Sequence, residues 1–227
     1  MTRLMMVNGI WLGFNLPVIY FILLSMTVRS LDELYHMIYA ILLLLPFVFF
    51  PATIALYAVV RQWVIGNKDK LDLSVFWKAY KENYFRSLLI GLIVTGFFIV
   101  WIVNYQLAQI EWKSGLFYIY LVLTVSLLAI INAFLADTVH LKLKFTSSIK
   151  KSIMIGLFFP HYSISIIGMS VVTLYLLYQL HPFIFLLFSG VIPAVFGFYG
   201  YYHLYKRAQK LENAPVKEKQ KEAVSSF

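Results

Sequence analysis

Long apolar runs free of charge recur along this chain. Residues 5–28, 34–60, 87–110 and 114–136 contain no Asp, Glu, Lys or Arg, and neither does the stretch 152–205. A helix needs about 20 apolar residues to cross a bilayer. Each of the first four runs therefore supplies one span, and the last supplies two, divided at the polar, proline-containing Gln179-Leu180-His181-Pro182. The pattern predicts an all-α, polytopic transmembrane helical bundle of six spans, a single membrane domain over residues 1–210. Residues 211–227 lack an apolar period and mix Lys217, Lys219 and Lys221 with Glu218 and Glu222, which predicts a disordered basic tail.

The longest connection, residues 61–86, is amphipathic in its second half. On a helical wheel Leu73, Phe76, Trp77, Tyr80 and Tyr84 share one arc, with Lys78, Ala79, Glu82 and Asn83 opposite. Such a helix suits the membrane interface, where aromatic rings sit at headgroup level and Lys81 extends to water. It is expected to lie in the membrane plane between spans two and three, turning into span three at Arg86. Two roles are open to it: anchoring among the headgroups, or docking a cytoplasmic partner through Phe76, Trp77, Tyr80 and Tyr84.

Charge sets the orientation. Of the 19 Lys and Arg, all but Arg29 and Lys113 share one side if Arg3, the connections 61–86 and 140–151, and the tail after Tyr205 lie there. Positive loops stay cytoplasmic during insertion, so both termini are expected inside, N-in/C-in. The formal net charge of +9 then faces the anionic inner leaflet, and lipid rather than nucleic acid is the expected partner. With 61% hydrophobic and 18% aromatic residues and a mean hydropathy of +0.80, the chain lies far outside soluble globular composition. Arg3 before an apolar run resembles a signal peptide, but the run is too long and no small-residue cleavage site follows, so a retained first span is expected. The absence of cysteine excludes disulfides and thiolate chemistry.

Chemical motifs are missing. There is no GxxxxGK[ST] phosphate loop, HExxH zinc helix or GxSxG nucleophile turn, and no catalytic, cofactor or metal site is expected. Pro46 and Pro51, five residues apart, should break or sharply bend span two, and Pro160-His161 should kink span five and turn a polar ring toward a cavity. Discontinuous helices often line transporter sites, so these four residues are candidates for a pore or binding site; packing kinks and a His bonded to a neighbouring helix are the alternative. Asp137 shares a helix face with His140 and precedes Lys142 and Lys144, which predicts an interfacial salt bridge rather than a proton relay. Asn8, Asn15, Asn104, Gln106 and Asn132 are expected to bond between helices, and Gly9 and Gly13 have the small-xxx-small spacing of close helix contacts.

Two pairs of segments match in character. Arg86-Ser87-Leu88-Leu89-Ile90-Gly91-Leu92 parallels Lys151-Ser152-Ile153-Met154-Ile155-Gly156-Leu157, and residues 51–58 parallel 193–200. Parallel repeats of this kind arise by hairpin duplication, although short apolar matches also arise by chance.

The chain also resembles a known family. Asn8-Gly9-Ile10-Trp11-Leu12 leading to Asn15-Leu16-Pro17-Val18, then Phe50-Pro51-Ala52-Thr53-Ile54-Ala55-Leu56-Tyr57 running into Val60-Arg61-Gln62-Trp63-Val64, and finally Phe76-Trp77-Lys78-Ala79-Tyr80-Lys81-Glu82-Asn83-Tyr84, resemble the YesL-like bacterial membrane proteins, a family of unknown function. The resemblance covers the first 90 residues best and carries no catalytic residues. It implies a non-enzymatic protein of the bacterial cytoplasmic membrane, an accessory to ABC-type oligosaccharide uptake that contacts the permease subunits. The alternative is a small transporter or channel for a sugar-like solute, whose faces aromatic rings can bind; a homo-oligomer is compatible with both.

Overall fold

A computed structural model of the chain describes residues 2–66, 73–111, 116–141 and 143–225, with the side chains of 2–3, 106–111, 116–117, 160–163 and 210–225 outside that description. The elements are α1 (Thr2–Phe14), α2 (Leu16–Ser25), α3 (Leu31–Leu44), a π-helical turn (Leu45–Phe49), α4 (Phe50–Ile65), α5 (Leu73–Glu111), α6 (Leu116–His140), α7 (Phe145–Phe158), α8 (Pro160–Leu180), α9 (Pro182–Phe188) and α10 (Val191–Ser225). No strand occurs among the described residues, so the all-α class holds.

Three helices are long and apolar enough to cross a bilayer: Leu31–Ile65, Leu73–Tyr105 and Tyr118–His140. Two bent pairs, Leu4–Phe14 with Leu16–Ser25 (70°) and Pro182–Phe188 with Val191–Gln209 (44°), raise the number to five if each is one span; Ile164–Leu180 is apolar but shorter. Large apolar side chains on the outside, among them Leu92, Ile93, Val122, Val172 and Leu176, are exposed, as lipid-facing residues must be. The molecule is a helical membrane protein. Beyond the kink expected at Pro160, the chain bends between α1 and α2 and between α9 and α10, and it divides at Phe159, each beside a proline, whose ring removes a backbone donor.

The core is organised around α4, where Phe50 to Tyr57, Val59 and Val60 are all buried. A helix apolar on every side must be surrounded, and α4 packs against α1, α5, α6 and α10. Its approach to α5 is set by Gly91, where an added Cβ would lie 2.7 Å from Pro46 Cα; at Gly156 on α7 it would lie 2.5 Å from Ile130 Cγ1.

Several expectations change here. Pro46 and Pro51 do not break the second span: the helix widens into a π-turn and continues. The Leu42 carbonyl, deprived by Pro46 of its helical donor, instead accepts from Thr95 Oγ1 on α5 (3.2 Å), which satisfies it inside the bundle. The amphipathic stretch is not a separate helix turning at Arg86; it forms the first turns of the continuous α5, with no Pro near Arg86 to interrupt it. The Pro160-His161 kink is a break between α7 and α8, with Pro160 in the first turn of α8; the His161 side chain falls outside the described residues. Gly9 and Gly13 face open space and mediate no close contact. The backbone remains helical to Ser225, across the stretch for which the sequence predicts a disordered tail.

The glycines yield a direct contrast. Gly91→Ala pushes a methyl group into backbone and is expected to cost about 1–3 kcal/mol, whereas Gly9→Ala meets nothing. Thermal unfolding of the purified variants in detergent should show a lowered midpoint for the first and none for the second; equal midpoints would contradict this packing.

Candidate binding cavity and buried charge cluster

Beside the π-turn lies a partly open cavity of about 550 Å³, lined from α1, α4, α5, α6, α8 and the α9–α10 junction. Leu45, Phe49 and Phe50 of the widened segment form part of its wall; Pro46 and Pro51 themselves do not. Its polar residues are already engaged. Trp11 Nε1 donates to Thr53 Oγ1 (3.1 Å), Thr53 donates to the Phe49 carbonyl (2.6 Å), and Ser170 and Ser189 bond to the Ile166 and Leu186 carbonyls. Tyr57 OH donates to Asn132 Oδ1 (2.5 Å), and Asn132 Nδ2 reaches toward the Gly197 carbonyl (3.4 Å). Only a glycine fits at 197, because a Cβ there would collide with Asn132 Oδ1 and Tyr57 OH.

The wall beside Gly190 depends on Asn8. Fully buried on α1, it donates from Nδ2 to the Leu186 carbonyl (2.9 Å) and accepts at Oδ1 from the Gly190 and Val191 amides (2.9 and 3.0 Å). One side chain thus satisfies the last turn of α9 and the open N-terminus of α10. Asn132 likewise bridges helices, whereas Asn15 and Asn104 bond back to their own; the Gln106 side chain falls outside the described residues.

Further along α6 and α10 lies a charged cluster. Asp137 is fully buried, and its Oδ1 accepts from Lys151 Nζ (2.8 Å) and Tyr201 OH (2.6 Å) while Oδ2 accepts from Ser148 Oγ (2.5 Å). Arg86 reaches the same group at one remove, donating to Ser148 Oγ, to Thr138 Oγ1 and to the Leu143 carbonyl. The salt bridge expected at Asp137 exists, and Lys151 makes it; Lys142, named as a candidate partner with Lys144, lies outside the described residues. Arg86 and Lys151 occupy equivalent places in the two matching segments. The next residues match as well: Ser87 and Ser152 are both buried and bond back to carbonyls four residues earlier, and Gly91 and Gly156 both mark close helix contacts.

The aromatic residues singled out for docking form one cluster with Phe14. Phe76 is buried, and Tyr80 stacks 4.8 Å from the Phe14 ring. Trp77 meets Phe14 edge-on, with Lys81 over its ring, yet remains 52% exposed; Tyr84 extends the cluster from Tyr80. The cavity and Trp77's edge are therefore separate features. Among the described residues, no group of His, Asp or Glu has a metal-holding arrangement.

The pocket is partly open, and the polar groups on its wall are spent on one another, so the surface it offers an occupant is mostly apolar.

Residues 4–105 match the family described as "Protein of unknown function, DUF624". This stretch, a little under half of the chain, is similar to the YesL-like DUF624 family. Three uncharacterized proteins of Bacillus subtilis (strain 168) are similar: YteU, 31% identical over 63% of this chain; YesV, 33% over 28%; and YesL, 43% over 19%. The chain spans 62% of the length of YteU, 32% of YesV and 21% of YesL. No solved structure matches it. The DUF624 stretch ends within α5, at residue 105, so it contains Asn8, Trp11, the π-turn and Arg86, while Asp137, Lys151 and Tyr201 lie beyond it.

Proposed function

We propose that this DUF624 protein is a non-enzymatic accessory component of the bacterial cytoplasmic membrane, inserted with both termini inside, that contacts the permease subunits of an ABC-type oligosaccharide importer. Six spans follow if each bent pair counts once and Ile164–Leu180 provides another, and the one-sided distribution of Lys and Arg favours the orientation. The observation that carries the docking role is Trp77. It projects from a cluster braced by Phe14, half exposed, beside exposed Leu73 and Phe85. An aromatic ring already held by its neighbours loses little freedom on binding, which suits an interface anchor.

The test follows from that geometry. Phe76 and Tyr80 are packed into the protein, so replacing them tests folding; Trp77→Ser removes a half-exposed ring together with its edge contact to Phe14 and should lower the unfolding midpoint only slightly. Permease subunits co-isolated from native membranes with the wild type should be lost with Trp77→Ser. Equal recovery with both proteins would sink this docking surface.

A conduit for small solutes is the second reading, favoured by the π-turn that lines the cavity. Its lining disfavours sugar as the solute. A sugar brings several hydroxyls per ring, and each hydroxyl buried without a partner costs on the order of 1–3 kcal/mol.

A further inference from the structure

We propose that the cavity is a binding site for a hydrocarbon chain, entered sideways from the bilayer between α6 and α8. The opening is marked by two residues. Leu128 on α6 and Val171 on α8 both line the cavity and are themselves 39% and 60% exposed. Each lies near the middle of its helix: Leu128 in Leu116–His140 and Val171 in Pro160–Leu180. At that level the surroundings are the acyl core of the membrane. A solute reaching this mouth has already left water and headgroups behind, and what stands at it in greatest abundance is a lipid tail.

The interior fits that occupant. Leu45, Phe49, Val94, Phe98, Ile167 and Leu174 present apolar surface, and the volume falls within the roughly 300–1,000 Å³ of small-molecule sites. At one end the pocket reaches the Tyr57–Asn132–Gly197 contact, one turn of α10 before Tyr201 joins the Asp137 cluster. This contact gives the side pocket a polar end. The same chemistry could come from the tail of a phospholipid or from a free fatty acid.

Photolabelling of the full chain in phosphatidylglycerol and phosphatidylethanolamine liposomes separates these sources. One arm carries a trace of palmitic acid with a mid-chain diazirine, the other a phospholipid bearing the same tail; labelled residues are mapped by mass spectrometry. Label on interior residues such as Thr53, Tyr57 or Ala194 is expected from at least one probe, and the probe that delivers it names the source. Leu128→Trp with Val171→Trp should plug the mouth and abolish interior label while outward Leu176 remains labelled. Val172→Trp, facing lipid beside the mouth, should change nothing. Label confined to outward residues in both arms, or interior label that survives the plugged mouth, overturns the site. Should the double variant fail to insert, the wild-type map decides by the same criterion.

Discussion

Asp137→Asn is expected to destabilise the protein strongly. Asp137 is fully buried and compensates Lys151 directly and Arg86 through Ser148. Removing one member of a buried ion pair costs about 3–5 kcal/mol, because the other charge stays behind without compensation. The lower end applies, since the Lys151 side chain retains 30% exposure and can partly recover water or headgroup contacts. Asparagine preserves the shape and can still accept from Tyr201 or Ser148, so the loss reports charge rather than volume. Thermal unfolding in detergent should show a large drop for Asp137→Asn and partial recovery for Asp137→Asn with Lys151→Met, which removes the orphaned cation. A double variant as unstable as the single one would show that pairing is not what holds α6, α7 and α10 together.

Asn8→Ala is the second large effect. Two buried amides, those of Gly190 and Val191, depend on this side chain, which also donates to the Leu186 carbonyl, an acceptor shared with Ser189 Oγ. Each buried group left unpaired costs about 1–3 kcal/mol, and the summed loss falls on the α9–α10 junction. The neighbouring Gly190 leaves little room for compensation, because Trp11 packs where its Cβ would be. Hydrogen exchange of the reconstituted protein should therefore rise at residues 186–194 before anywhere else. A uniform rise would mean that Asn8 supports the whole bundle rather than this junction.

Much of the architecture is legible in the sequence because it follows from solvent. The charge-free runs foretell helices that lipid can surround, and the end of α8 at Leu180 coincides with the polar Gln179–Pro182 break. Proline positions are legible too, but their outcomes are not. Pro46 leaves a continuous helix because Thr95, 53 residues away in the chain, supplies the missing donor, whereas Pro160 and Pro193 stand beside real breaks. Nothing local distinguishes them.

The same limit governs the site. The equivalence of Arg86 and Lys151 in the matching segments was the signal that two cations converge on Asp137, yet nearer Lys142 and Lys144 looked like better partners by sequence distance alone. Phe76, Trp77 and Tyr80 share one helix face, but only the packing of Phe14 determines that Phe76 is covered and Trp77 is not. A cavity has no local signature at all. Its wall is assembled from residues between Trp11 and Ala194, each of which reads as ordinary core or lipid-facing surface.

Whether the protein assists import or conducts solute itself is decided most directly by flux. The purified protein, reconstituted alone into liposomes, should admit radiolabelled oligosaccharide no faster than protein-free liposomes do, since its cavity opens to lipid and its polar groups are paired with one another. Saturable oligosaccharide entry that disappears in Leu128→Trp with Val171→Trp would contradict the accessory role and make the cavity a sugar pathway.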